Sequence, residues 1–258
     1  MNTRFAEIEK GKKIYFASDF HLGVPDPAQS KQREIKIVRW LDQISTDAQS
    51  IFLLGDTFDF WFEYKEAIPK GYNRLLGKLA ELTDQGINIY LFTGNHDLWL
   101  GDYLTQEIGV EIIKRPVSFQ LGGKRFYLAH GDGLGPGDSK FKFYKKIFTN
   151  PLCQWMFRWL HPDLGIALAK KWSKGSRLAQ MSTPLTFHGE EEWLIIHSRE
   201  VEKHDTHNYY IYGHRHIAGK HELNSTATYL NLGEWFNACT YAEYDGADVK
   251  LRDFSDES

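Results

Sequence analysis

Disulfide chemistry has almost no material here: the 258-residue chain holds two cysteines, Cys153 and Cys239, far apart and without metal-ligand spacing. That argues against a disulfide framework and fits a reducing compartment. Long apolar runs are missing too, since nothing approaches the roughly eighteen consecutive apolar residues of a membrane-crossing helix. The first residues are polar and charged through Lys13, and no apolar stretch follows a basic one, so no signal peptide is expected. A cytoplasmic protein is the expectation. Strong charge of one sign is also absent: the net charge is −3, too near neutral for nucleic-acid binding by the whole molecule. No internal repeat and no low-complexity tract interrupts the chain. What remains is an ordinary globular composition, with 42% hydrophobic and 25% charged residues. The length allows one large α/β domain, or one domain with a sizeable insertion.

Strand and helix patterns alternate through the first half. Ile14 to Ser18, Ile51 to Leu54 and Ile87 to Phe92 read as short buried strands. Between them, Gln32 to Ile44 and Tyr72 to Leu82 carry apolar residues at helical spacing. Strands separated by helices imply βαβ units and a largely parallel sheet. Val117 to Ala129 reads as a hairpin turning at Gly122-Gly123. Residues 139 to about 203 read as several helices, broken at Asn150-Pro151, His161-Pro162 and Thr183-Pro184. Strands return at Tyr209 to Tyr212, Thr228 to Leu232, Thr240 to Tyr244 and Asp248 to Leu251.

Five of the expected strands run directly into polar clusters: Asp19-Phe-His21, Gly55-Asp56-Thr-Phe-Asp59, Gly94-Asn95-His96-Asp97, His130-Gly-Asp132 and Gly213-His214-Arg215-His216. In open α/β sheets the reactive loops lie beyond the carboxyl ends of the strands, so separate loops can converge on one edge. Carboxylate, imidazole and amide oxygen together suit divalent cations. Asp19 and His21 are two apart, as are His214 and His216; continued strand geometry would put each pair on one face. Asp56 has two oxygens and could bridge two ions, while Asn95 offers a neutral oxygen. Taken singly, each cluster has a plain reading: a turn aspartate, a hydrogen-bonded histidine, a helix cap at Asp59. Their joint occurrence in order, each after a strand, favours a metal site.

These blocks, spanning residues 19 to 216, resemble those of the calcineurin-like metallophosphoesterase superfamily. The resemblance implies an α/β fold, a four-layer α/β/β/α sandwich, here with a helical insertion. One domain over 1–258, with the insertion or lid at about 134–205, is expected. By resemblance one ion takes Asp19, His21, Asp56 and His216, and the other takes Asp56, Asn95, His130 and His214. Manganese is the expected metal, with iron, zinc and nickel suited to the same donors. Two such cations acidify a water and stabilise charge during in-line displacement at phosphorus. His96 is then a catalytic candidate, to stabilise a phosphoryl oxygen or protonate the leaving group. Asp97 is expected to orient it. Asp59 is expected near the ligands rather than among them, and Arg215 either on phosphate or paired with a carboxylate.

Fold does not fix substrate, so the insertion is the place to look. From Lys140 to Arg177 the chain has nine Lys or Arg against one acid, Asp163, and eight aromatics, among them Phe141, Phe143, Phe148, Trp155, Phe157, Trp159 and Trp172. Basic residues interleaved with tryptophan suit an anionic membrane surface or an amphipathic lipid, and also nucleic acid. The plain reading is a helical cap whose aromatics form a core. The whole chain is similar to the UDP-2,3-diacylglucosamine pyrophosphatases of lipid A biosynthesis, in which a helical insertion covers the metal site and holds acyl chains. That resemblance implies a nucleotide-linked glycolipid substrate, release of UMP, and a peripheral place on the inner membrane's cytoplasmic face, with no nucleic acid and no obligate protein partner. Many of those proteins carry Arg where this chain has His96. A nuclease, a cyclic-nucleotide phosphodiesterase and another nucleotide pyrophosphatase are the alternatives, and a non-catalytic scaffold is the remote one.

Overall fold

The structure, a computed structural model, describes residues 2–4, 7–136, 139–169 and 186–255. In chain order the strands are β1 (Asn2–Arg4), β2 (Lys13–Ala17), β3 (Ala48–Leu53), β4 (Asn88–Phe92), β5 (Glu111–Ile113), β6 (Val117–Leu121), β7 (Lys124–Ala129), β8 (Tyr209–Tyr212), β9 (Gly219–Glu222), β10 (Thr228–Asn231), β11 (Thr240–Tyr244) and β12 (Val249–Asp253). The helices are α1 (Pro27–Ile44), α2 (Asn73–Asp84), α3 (Tyr103–Ile108), α4 (Ser139–Phe148), α5 (Pro151–Arg158), α6 (162–169) and α7 (Trp193–Glu202).

The strands make two six-stranded sheets, ordered β1-β6-β7-β8-β10-β9 and β12-β11-β2-β3-β4-β5. Alternation along each strand decides what lies on either side. Ile14, Phe16, Phe52, Leu54 and Phe92 point toward the other sheet and meet Phe119, Phe126, Leu128, Tyr209 and Ile211. Phe16, Phe52, Phe119 and Phe126 stack in sequence across that interior, with neighbouring centroids 5.1 to 5.5 Å apart. The other face of the second sheet, with Tyr15, Ala17, Ile51, Leu53, Ile89 and Leu91, is covered by Trp40, Leu41, Leu75 and Leu79 of α1 and α2. The outer face of the first sheet is covered by Leu194 and Ile195 of α7 against Tyr127, Tyr210, Tyr212 and Tyr229. Both faces of the central strands are therefore buried, which is why residues 14–17, 51–53 and 209–212 are apolar without alternation. The result is the expected four layers.

The stretch expected as insertion, 134–205, divides in two. Helix α7 belongs to the outer layer of the sandwich. No described residue of α4, α5 or α6 enters the three core clusters. Asn150 caps α5 by accepting from the amides of Leu152 and Cys153, with Pro151 at the first helical position. The break expected at Thr183-Pro184, and the basic segment from Lys170 to Arg177 with Trp172, lie outside the described residues.

Candidate metal centre

β2, β3 and β4 run parallel, as do β7 and β8, so the five clusters all lie beyond carboxyl ends. The loops stay bonded after the strands stop. His21 N donates to Asp56 O at 2.8 Å and Gly213 N to His130 O at 3.0 Å. The two-apart pairs do not continue as strand, however. Asp19, His21, Asp56, His214 and His216 all take left-handed backbone, with φ between 44° and 67°. They make up five of the seven non-glycine residues with positive φ among the described residues. Each such residue is held against its own steric preference, at about 1 kcal/mol or more. The side chains thus converge through tight left-handed turns, not through strand alternation. Close approach also explains two glycines. A Cβ on Gly94 would overlap the Asp56 carboxylate, and one on Gly213 would lie 2.5 Å from Asp19 Oδ2.

The seven sequence-predicted ligands come together as follows. Asp19 Oδ1 lies 3.0 Å from His216 Nε2 and 3.5 Å from His21 Nε2. Asp56 Oδ1 accepts from the amide of His96 at 2.8 Å. Its Oδ2 is turned between His130 Nε2 at 3.3 Å and His21 Nε2 at 3.7 Å. Asn95 Oδ1 is 3.3 Å from His130 Nε2. The His214 ring lies 5.1 Å from that of His130, and the His214 amide donates to Asp19 Oδ2 at 2.9 Å. Asp56 is therefore shared by a group containing Asp19, His21 and His216 and a group containing Asn95 and His130.

The donor set fits divalent cations on three counts. First, His130 Nδ1 donates to the Leu54 carbonyl at 2.7 Å. This anchors the ring so that Nε2 faces the cluster, able to bind a cation once its proton is displaced. Second, Asp19 and Asp56 are buried at 0% and 1% exposure, where unneutralised charge is untenable. Third, the imidazoles supply protons in place of cations. Burial lowers the His130 pKa, but Asp56 beside it outweighs this and lifts it to about 10. His216 is likewise raised against burial by Asp19, while burial drives His21 to about 3 and His214 to about 4. His21 Nε2 and His216 Nε2 meet at 3.0 Å, a contact that needs a proton or an ion between two lone pairs.

Around this set, sequence reading needs one correction. Asp97 does not orient His96. Its carboxylate is fully buried and accepts from the amides of Gly94 at 2.7 Å, Thr57 at 2.9 Å and Phe58 at 3.3 Å. It clamps the loop after β4 to the loop after β3, a structural task. The partner of His96 is Asp59, whose Oδ1 lies 3.3 Å from His96 Nδ1 and 3.8 Å from His21 Nδ1. Asp59 lies in a loop and caps no helix. Arg215 takes the carboxylate alternative: its Nε is 2.6 Å from Oε1 of buried Glu192.

Residues with no motif also serve the site. Arg33 of α1 is buried and donates to the carbonyls of Phe20 and His21 at 2.7 Å and of Val24 at 2.5 Å. Its guanidinium stacks 4.2 Å from the Phe236 ring, which in turn stacks on His21. Glu234, buried beside Trp235, caps the turn that carries Phe236. Arg33 lies on the buried face of an otherwise amphipathic helix, and a buried arginine there was the one available signal.

The chain can now be set beside known proteins. A family model described as calcineurin-like phosphoesterase matches residues 12–218. The chain is 37% identical over 257 residues to a UDP-2,3-diacylglucosamine hydrolase of Porphyromonas gingivalis, covering 95% of this chain and 98% of that one. A protein of the same name from Edwardsiella ictaluri is 26% identical over 243 residues, covering 92% and 90%. Among solved structures, the phosphoesterase Yfce of Escherichia coli is 17% identical, covers 95% of each chain and superposes with a TM-score of 0.46. The chain belongs to the calcineurin-like phosphoesterase family, whose chemistry implies divalent metal ions, and the clusters above are their candidate sites.

Proposed function

We propose that this member of the calcineurin-like phosphoesterase family hydrolyses the pyrophosphate of UDP-2,3-diacylglucosamine, releasing UMP and leaving 2,3-diacylglucosamine 1-phosphate. The observation that carries this reading is the buried, Asp56-centred cluster at the strand ends, with an apolar helical insertion beside it. The full-length likeness to the hydrolase of Porphyromonas gingivalis supports the substrate.

Asp19, His21, Asp56 and His216 would hold one ion, and Asp56, Asn95, His130 and His214 the other. Mixed oxygen and nitrogen donors suit Mn²⁺. The ions supply an acidified water and charge neutralisation at phosphorus. The chain's residues do the rest. Held through Nδ1 by Asp59, the His96 imidazolium would have Nε2–H left as a donor to the substrate. A phosphate leaving group is a weak base, so the greater use of that donor is on a phosphoryl oxygen, where charge grows during displacement.

The insertion supports the lipid half. Phe157 of α5 packs on Phe62 and Trp99 at 4.7 Å each, and on Phe60 at 6.4 Å. Phe60 directly follows Asp59, and Trp99 lies two residues after Asp97, so this aromatic wall borders the site and suits acyl chains. The opposite face of α5 is different. Leu152, Trp155, Met156 and Trp159 follow one helical stripe and are exposed, Trp159 at 75%. All the exposed large apolar side chains among the described residues lie between Tyr144 and Ile196. With Lys146 and Arg158 exposed nearby, this surface suits peripheral docking on the anionic cytoplasmic face of the inner membrane. No helix among the described residues is long and apolar enough to cross a membrane.

A substrate panel with Mn²⁺ tests the reading: acylated UDP-glucosamine, its deacylated form and cyclic nucleotides. The acylated compound is expected to turn over far faster than the others. Equal or preferred turnover of cyclic nucleotides would point to a general phosphodiesterase instead.

A further inference from the structure

Helix α4 is fastened at two places to the loops that carry the metal-site residues. Lys145 Nζ lies 2.5 Å from Asp132 Oδ2, and Asp132 is buried two residues after His130. Lys142 Nζ donates to the Gly135 carbonyl of the same loop at 2.5 Å. At the end of the helix, the Trp99 indole N–H donates to the Phe148 carbonyl at 2.6 Å. Trp99 lies three residues after His96, on the loop beyond β4. The last carbonyls of a helix have no partner inside it, and here one is satisfied by the catalytic loop, with Gln154 Nε2 sharing it at 3.0 Å. A short rigid rod thus joins the loop of His130 to the loop of Asn95 and His96.

We infer that α4 is a strut through which substrate held by the insertion positions the metal-site loops, with Lys145 and Trp99 as the positioning residues. The inference rests on the lipid-substrate reading above. Trp99 belongs to the aromatic wall and to the catalytic loop at once, so acyl chains packed against the wall press on the ring that holds α4. Binding energy from the remote half of a substrate then raises kcat, not affinity alone. Breaking the tie at Lys145 leaves the buried Asp132 carboxylate without its cation, and the loop after His130 loosens.

The test uses the full chain with Mn²⁺ and acylated UDP-glucosamine. Lys145→Met, Asp132→Asn, their combination, Lys145→Arg and Trp99→Phe are compared for kcat, KM and bound metal. Each of Lys145→Met, Asp132→Asn and Trp99→Phe is expected to lower kcat about tenfold with KM little changed and both ions retained. The double variant should be no worse than either single, and Lys145→Arg should restore most of the rate. Amide hydrogen exchange should quicken about tenfold over 131–136 in Lys145→Met and over 95–99 in Trp99→Phe. Losses confined to KM, losses that multiply in the double variant, or loss of metal in step with activity would each overturn the strut. So would unchanged exchange, which decides the matter whether or not the wild type accepts the acylated substrate. Failure of the wild type to release UMP would overturn the substrate reading alone.

Discussion

The strand-end loops bury their charges, and α5 leaves its tryptophans in water. Asp19 and Asp56 sit at 0% and 1% exposure, while Trp155 and Trp159 stand at 56% and 75%. Each is the opposite of what a side chain prefers alone. At the sheet edge the inversion is held by neighbours within the chain: imidazoles, backbone amides and the Arg33–Phe236 stack on His21. On α5 the described residues supply no equivalent cover. The first region is organised by folding alone, with its candidate metal ligands already together. The second is exposed among the described residues, and the lipid reading proposed above would supply its cover.

The comparison can be broken at either end. Removing Asp56 should have the largest effect, because it is shared by both groups. Asp56→Ala is expected to leave less than about a thousandth of the metal-dependent turnover, and unchanged turnover would remove the metal centre from the account. His96→Ala should keep both ions and lose roughly 10²- to 10⁴-fold in kcat; elemental analysis showing metal loss would instead make His96 a ligand. On the other side, Trp155→Ser with Trp159→Ser should weaken sedimentation with anionic vesicles by several kcal/mol, about 1.5–3 per buried ring. Thermal stability should stay nearly unchanged, since both rings are exposed. If vesicle binding survives, the exposed stripe faces something other than lipid. The last prediction concerns stability alone. Asp97→Ala should lower it by about 3 kcal/mol or more, because each of three buried amides loses its acceptor at about 1–3 kcal/mol, and denaturant titration would measure it.

How much of this could be read from the sequence depends on which force set each element. The strands buried on both faces were legible as apolar runs. Helix α1 was placed from Gln32, yet it begins at Pro27, where Asp26 caps it by accepting from the amides of Ala28 and Gln29. The cap-and-proline signal was present, but apolar periodicity starts only at Ile35. Strands β1, β5 and β9 and helix α3 escape the sequence reading because they are short; β9 reads Gly-Lys-His-Glu, an edge strand whose polar side chains leave no pattern. In the site, residue type and order gave the converging loops. Direction was not legible. Asp97 stands beside His96 in the chain but turns inward to three amides, while Asp59, 37 residues away, faces it. On the insertion, helical spacing could not say which aromatics point in. Phe157 does; Trp159 does not.

The left-handed residues have a consequence for how this sequence can drift. At five positions the chain needs an aspartate or histidine in a conformation that glycine would adopt at less cost. Chemistry and backbone there pull toward different residues, and only the use of the site keeps the costlier one. A descendant released from catalysis should therefore change first at Asp19, His21, Asp56, His214 and His216, and should gain stability as it does. Persistence of all five in a lineage is a record of continuous use.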